Sequence, residues 1–251
     1  MNDVLILLFF LLGLIFGSFF NVVGLRMPQK QPFANERSMC PDCGHLLAWY
    51  ELIPLLSYAV QRGKCNQCQR HISILYPVIE LSAALLFALS YIKTGLSWEL
   101  PVALLTVTLL LIVFVSDIRY MLIPNRLLGF FLPFLVITRV IQPLDPWWSS
   151  AVGALMGVII IALIILISRG GMGGGDMKLF ALLGIVLGFQ KTLLALLLSS
   201  VIGALIGGVL LGLKRINRKQ PIPFGPFIVM GSLISYFQGD FLLAWYLHNL
   251  I

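Results

Sequence analysis

The chain has 251 residues, 59% of them apolar and only 11% charged, with a mean hydropathy of +0.99. Soluble domains run nearer about 45–50% apolar and about 25% charged, so too few polar groups exist to cover a water-facing surface and lipid must solvate most of the chain. The net charge of +7 does not point to nucleic acid, because the seventeen Lys and Arg cluster between apolar stretches, where charge sets membrane orientation.

Apolar runs able to satisfy their own backbone hydrogen bonds predict eight helices, at about 4–25, 72–92, 98–116, 126–142, 149–168, 177–190, 192–213 and 225–247. The runs are continuous, without the alternation of a β-barrel or the heptads of a coiled coil. The expected fold is therefore all-α, a polytopic membrane helix bundle with one small extramembrane loop domain, divided as 1–26, 27–71 and 72–251. The sixth and seventh spans are joined only by Gln190, Lys191 and Thr192, which predicts a tight hairpin there. The first span lacks a basic n-region and meets its first cation, Arg26, at its far end, the pattern of an uncleaved anchor with its N-terminus outside. Alternating from that start places fourteen of the seventeen Lys and Arg inside, leaving only Lys93, Arg139 and Lys191 outside, in agreement with the positive-inside rule. The run from Lys214 to Lys219 is one such inside anchor, facing anionic lipid.

All four cysteines fall in the cytoplasmic segment 27–71, as Cys40-Pro-Asp-Cys43 and Cys65-Asn-Gln-Cys68 separated by 21 residues. Two CxxC knuckles at this spacing, slightly longer than the usual zinc-ribbon range, predict a tetrahedral thiolate site for Zn²⁺, and a loop too small for its own core would take most of its fold from the metal. Gly44 and the run Arg62-Gly63-Lys64 suit the tight turns. The alternative is a pair of disulfides, which a reducing cytoplasm opposes. Four thiolates close the coordination sphere, so such a metal is structural and the chemistry lies elsewhere. His45, His71 and His248 are scattered and are not expected to be ligands. Asn21, inside the first span, is expected to bond a neighbouring helix, with Gly17 and Ser18 permitting the approach.

Of ten carboxylates, seven lie at outer ends, loops or in the soluble segment; Glu80, Asp117 and Asp176 remain. Asp117 closes the third span, and Asp176 opens the sixth behind glycines at 170, 171, 173, 174 and 175. Both fall at cytoplasmic helix ends, so segments 59 residues apart can meet at one depth. Two carboxyls in contact share a proton, one serving as general base on water and the other as general acid on a scissile amide. Gly173, Gly174 and Gly175 leave the backbone open to an extended substrate strand. A proton-coupled transporter relaying through the two aspartates, with the knuckles as a docking module, is the competing reading. Against it, no inverted repeat and no polar path across the midplane is visible.

The ordered motifs resemble the type IV prepilin peptidases, GxGD membrane aspartyl proteases that also methylate their product. The likeness runs over nearly the whole chain. It rests on Gly17-Ser18-Phe19-Phe20-Asn21-Val22 with Arg26 and Pro28, the two knuckles, Tyr76-Pro77-Val78-Ile79-Glu80, Asp117 with Ile123-Pro124-Asn125, Gly173-Gly174-Gly175-Asp176 with Lys178 and Leu179, and Pro223-Phe224-Gly225-Pro226. The resemblance implies Asp117 and Asp176 as the catalytic pair in the 72–251 peptidase bundle. It also implies cleavage of a basic leader from type IV prepilins or pseudopilins at the cytoplasmic face of a bacterial inner membrane. N-methylation of the new terminal amine with S-adenosylmethionine then follows. It links the cysteine loop to the methyl transfer and so draws attention to Gly63, Lys64 and Glu80 near a cofactor. No GxGxxG strand-helix fingerprint of a soluble methyltransferase is present.

Overall fold

The computed structural model describes residues 2–32, 38–40, 42–168, 172–215 and 222–250. Gly170 and Gly171 of the glycine run, and Arg37, Arg169, Arg218 and Lys219 of the charge count, lie outside the described residues. Helices account for nearly all the secondary structure: α1 (Asn2–Arg26), α2 (Leu56–Val60), α3 (Leu75–Thr94), α4 (Glu99–Tyr120), α5 (Asn125–Ile141), α6 (Ser149–Ile167), α7 (Gly174–Gly212) and α8 (Gly225–Leu250). Among the described residues the only β pairing is two isolated bridges, Met39 with Leu46 and Lys64 with His71. Six of the helices are long and apolar enough to cross a membrane. The chain is a multi-pass membrane protein. Asp3 and Arg26 at the two ends of α1, and Glu99 and Arg119 at those of α4, match the helix dipole, whereas Asp117 in the last turn of α4 and Arg126 in the first turn of α5 oppose it.

The chain divides into two compact units, 1–115 and 116–251. In the first, α1 lies along α3 with little between the backbones: a Cβ on Gly13 would sit 2.5 Å from the Ala83 carbonyl oxygen, and one on Gly17 2.8 Å from Cα of Glu80. Small residues replace hydrophobic driving force where lipid is as apolar as the interface. Phe9 stacks on Tyr91, while Phe16, Phe20 and Phe87 fill the space beside the glycines. Asn21 is fully buried and donates to the Tyr76 carbonyl of α3 at 3.2 Å and to Gly17 at 3.3 Å, the interhelical bond its place in the span required.

In the second unit, the predicted sixth and seventh spans are one helical stretch, α7, of 39 residues. A straight helix of that length would extend about 58 Å, nearly twice the hydrocarbon core. It does not run straight. Gly188 has φ 74° and ψ 178°, a conformation open essentially to glycine alone, and both ends of α7 return to one level: Gly175 packs on Ile123, six residues past Asp117, while Gly207 lies against Ile222, just before Gly225, whose N–H bonds Asp117. Before Gly188, Phe180 meets Gly157 and Gly184 meets Gly153, so this leg is antiparallel to α6. After it, Lys191 lies against Gly239, Ser199 against Gly231, Gly203 against Phe227 and Gly207 against Ile222, so the second leg is antiparallel to α8.

The hairpin is therefore present, but its turn is at Gly188 rather than at Gln190–Thr192. The reason is local. Phe189 N–H donates to Ser149 Oγ at 3.1 Å, the Thr192 hydroxyl donates to the Gly188 carbonyl at 2.6 Å, and Arg139 Nε donates to the Val186 carbonyl at 3.0 Å. The groups freed by the break thus find partners without water. Helix α5, with 17 residues and Pro133 inside it, is shorter than the six.

Gly188→Val would place a branched side chain in a glycine-only conformation, and its Cβ would meet Ser149 Oγ at 2.5 Å. The expected loss is about 1–3 kcal/mol from the backbone conformation alone. It is read as a lowered unfolding midpoint in detergent beside Gly208→Ala, whose added Cβ meets nothing within 4 Å.

Candidate active site and metal centre

Asp117 belongs to the last turn of α4. The chain leaves that helix through Met121, at φ 51°, whose N–H still bonds the Asp117 carbonyl at 2.8 Å. The Ser116 hydroxyl donates to the Leu122 carbonyl and folds the connection back on the helix. This buries Ile123 and delivers Pro124 and Asn125 to the start of α5. The glycine loop before α7 packs on that connection: a Cβ at Gly175 would be 3.1 Å from Cβ of Ile123, and Lys178 Nζ donates to Asn125 Oδ1 at 2.9 Å. Segments far apart in sequence are thereby held side by side, and Asp176 lies within range of the Asp117 charge.

Both carboxylates are buried, Asp117 6% and Asp176 8% exposed. Each is held by one backbone amide. Gly173 N–H donates to Asp176 Oδ2 at 3.0 Å, reaching across the first turn of α7 where the helix dipole favours an anion. Gly225 N–H donates to Asp117 Oδ2 at 2.7 Å from the first residue of α8. A side chain at Gly225 could not exist there, since its Cβ would lie 2.6 Å from that same oxygen. Gly225 is a residue that motif reading recorded only as part of Pro-Phe-Gly-Pro; its role as the Asp117 partner spans 108 residues of sequence and carries no local signal. Of the approach glycines, a Cβ on Gly174 would meet nothing within 4 Å among the described residues, and one on Gly173 would meet Asp176 Oδ2 at 3.5 Å.

The cysteines are in the first unit. Their sulfurs all lie within 4.8 Å of one another, with Cys40 to Cys68 at 3.8 Å and Cys43 to Cys65 at 3.9 Å. A tetrahedron of sulfurs about 2.3 Å from Zn²⁺ has edges of about 3.8 Å, so the thiols fit that ion and are too far apart for S–S bonds. The two knuckles have the same hydrogen bonds: Cys40 N–H to His45 and Gly44 N–H to Cys40, Cys65 N–H to Arg70 and Gln69 N–H to Cys65. Gly44 and Gln69, each following the second cysteine, both have positive φ. The amides of Cys68 and Gln67 bring the Cys65 thiol down to about 7. At Cys43 the His45 amide pulls down, but lost hydration and the three neighbouring thiols push the thiol up to about 12. Four thiols this close cannot all ionise without a cation among them.

Gly63, at φ 68°, turns the chain beneath Tyr58, whose hydroxyl would stand 2.9 Å from an added Cβ. Lys64 is half-buried, its backbone bridged to His71. Glu80 is buried, with Oε2 accepting the Leu55 N–H at 2.9 Å and the Ser18 hydroxyl as a further donor. Of these three, the carboxylate of Glu80 has the charge that suits a cationic group.

By sequence Glu51 is one of the soluble-segment carboxylates with no special role, and the structure buries it. Oε2 takes the Ala48 N–H at 2.9 Å and His45 Nε2 at 3.1 Å, while Oε1 takes Asn66 Nδ2 at 2.7 Å. The Ala48 amide, then His45 and Asn66, hold its carboxyl below the usual range against the cost of burial. His45 follows one knuckle and Asn66 lies within the other, so Glu51 ties the two together. Partners outside a ligand shell commonly control metal affinity by about 10–100-fold. Glu51→Gln, which loses the anion but keeps the volume, is expected to weaken Zn²⁺ binding within that range in chelator competition.

Two family models match successive parts of the chain. Residues 11–94 match the model described as "Bacterial Peptidase A24 N-terminal domain", and residues 104–208 match that of the "Type IV leader peptidase family". A Bacillus subtilis protein named prepilin leader peptidase/N-methyltransferase is 46% identical over 238 residues, covering 95% of this chain and 96% of the relative. Proteins of the same name from Aeromonas salmonicida and Stutzerimonas stutzeri are each 34% identical, over 97% and 94% of this chain and 94% and 91% of their own. No solved structure matches. With its paired aspartates, its four gathered thiols and full-length likeness to these proteins, the chain belongs to the type IV leader peptidase family.

Proposed function

We infer that this protein is a membrane aspartic endopeptidase that removes the basic leader of type IV prepilins or pseudopilins and then N-methylates the new terminal residue with S-adenosylmethionine. What supports the reading is that Asp117 and Asp176 are both buried, close enough for the charge of one to act on the other, and each fixed through Oδ2 by a glycine amide. One oxygen of each carboxyl is thereby committed to holding its orientation, and the other is left for chemistry. One carboxylate takes a proton from water as it attacks the scissile carbonyl, and the other, protonated, gives its proton to the departing amine. The exchange of roles returns the pair to its starting state. Open space over Gly174 suits a substrate backbone in extended form.

The reading includes eight crossings, with the leg of α7 before Gly188 and the leg after it counted separately. The fourteen inside cations support a cytoplasmic position for the cysteine loop and both aspartates, in a bacterial inner membrane. Within residues 116–251 the described structure buries no carboxylate besides the two aspartates, which favours a single-ended hydrolytic site over a proton path across the bilayer.

Zn²⁺ on Cys40, Cys43, Cys65 and Cys68 would supply a structural crosslink of the two knuckles. The four sulfurs and Glu51 are what this chain contributes to it. The methyl donor is S-adenosylmethionine in this reading; Glu80 is the residue whose charge suits its cationic sulfonium, with Gly63 and Lys64 in the neighbouring turn.

Two outcomes test the reading. With purified protein and a prepilin, Asp117→Asn and Asp176→Asn are each expected to lower leader cleavage by at least about 10³-fold while keeping the helical content of the parent; substantial cleavage by either would remove the dyad. Cys40→Ser leaves an incomplete tetrahedral site, and is expected to lose bound zinc and methylation while retaining leader cleavage, because knuckles and aspartates belong to different units. Product mass reads both activities at once.

A further inference from the structure

The segment between the knuckles has an unusual surface. From Leu46 to Gln61 the one charged residue is Glu51, and it is turned inward onto His45, Ala48 and Asn66. What faces outward is apolar or aromatic: Trp49 is 79% exposed, Leu56 63% and Val60 81%, with Tyr50, Leu52 and Ile53 also exposed. A contiguous patch of this kind on a loop surrounded by water would be an aggregation liability.

The loop's depth indicates what surrounds it. Leu55, at the entry to α2, gives its N–H to Glu80, which lies five residues inside α3, about 7.5 Å beyond that helix's first residue. Glu80 is also bonded by Ser18, eight residues back from the end of α1 at Arg26 and so about 12 Å along it. Both helices are long and apolar enough to cross a membrane. Leu55 is therefore fixed at a level inside the ends of two spanning helices. The Tyr58 hydroxyl, donating to the Ile72 carbonyl, ties the far side of the segment to the residues just before α3. Arg62 and Lys64 follow in sequence, and Arg26 and Lys30 leave the end of α1, the arrangement of cations beside an apolar insertion that anionic headgroups favour.

We propose that residues 49–60 are an interfacial anchor, with Trp49, Tyr50, Leu52, Ile53, Leu56 and Val60 inserted in the lipid boundary beside α1 and α3. The segment expected from sequence to be wholly extramembrane is thus partly embedded. The occupant of the patch is lipid. Aromatic residues favour this boundary because one part of the ring system is apolar and another reaches hydration. The anchor fixes the knuckles, through Glu51 and Tyr58, at a set height against the bilayer.

The test uses the full chain in phosphatidylcholine vesicles, with Trp98, Trp147, Trp148 and Trp245 changed to Phe so that Trp49 alone emits. Unchanged helical content and thermal midpoint show that this protein is folded. Emission is expected to fall by about twofold in lipid brominated high on the acyl chain, less in lipid brominated near the chain end, and to resist aqueous iodide. Quenching by iodide without a bromine effect would place the segment in water, and shielding from both would place a protein surface on it; either overturns the proposal. On the unaltered protein, a photoactivatable acyl-chain diazirine should label the peptide containing 49–60 along with α1, and absence of label on that peptide beside a labelled α1 would also overturn it.

Discussion

A bilayer offers no water to a broken backbone, so every interruption of a helix in this chain must be closed by the protein itself. The second unit meets this demand four times. At the end of α4, Met121 N–H and the Ser116 hydroxyl fold the chain back. At Gly188, Ser149, Thr192 and Arg139 serve the amide and carbonyls around the turn. At the starts of α7 and α8, the amides of Gly173 and Gly225 are taken by the carboxylates of Asp176 and Asp117. In these last cases the groups that close the backbone are the two candidate catalytic carboxylates, so helix termination and orientation of each carboxylate are the same hydrogen bonds.

That economy explains the distribution of glycine. Gly153 and Gly184 bring α6 and the first leg of α7 into backbone contact, Gly231 does the same against Ser199, and Gly225 admits the Asp117 carboxylate. A side chain at any of these would push apart elements that have no hydrophobic reason to stay together in lipid. Arg139, buried near the Gly188 turn, is tolerable because its guanidinium donates to the Val186 carbonyl just before that turn and to the Gln142 carbonyl at the end of its own helix.

The four thiols and the two buried aspartates lie in different units, and the family matches divide the chain a little before that boundary, ending at 94 and resuming at 104 against a boundary after Val115. In the first unit, small backbone-bonded knuckles bring four sulfurs to separations that match the corners of a tetrahedron able to hold zinc, and Glu51 links the knuckles by hydrogen bonds that need no metal. A loop of this size has little apolar core of its own; its order comes from this network and from Glu80, which ties it to α1 and α3.

Composition, run length and charge placement determined by themselves that the chain is helical and membrane-embedded, because those properties depend on solvent transfer and need no partner. Local spacing likewise announced the knuckles, since a CxxC turn is made by adjacent residues, and the ordered motifs singled out Asp117 and Asp176 as candidates. The position of the α7 turn was not legible: Gln190 and Lys191 are polar and suggested it, but a glycine two residues earlier has the conformational freedom, and Ser149, forty residues away, supplies the bond that fixes it. Glu51 looked like any loop carboxylate because its burial depends on His45 and Asn66 arriving from opposite knuckles. Gly225 and Asp117 stand 108 residues apart. Such pairings have no periodicity and no local propensity to reveal them; only the packing of whole helices decides which distant atoms come within 3 Å.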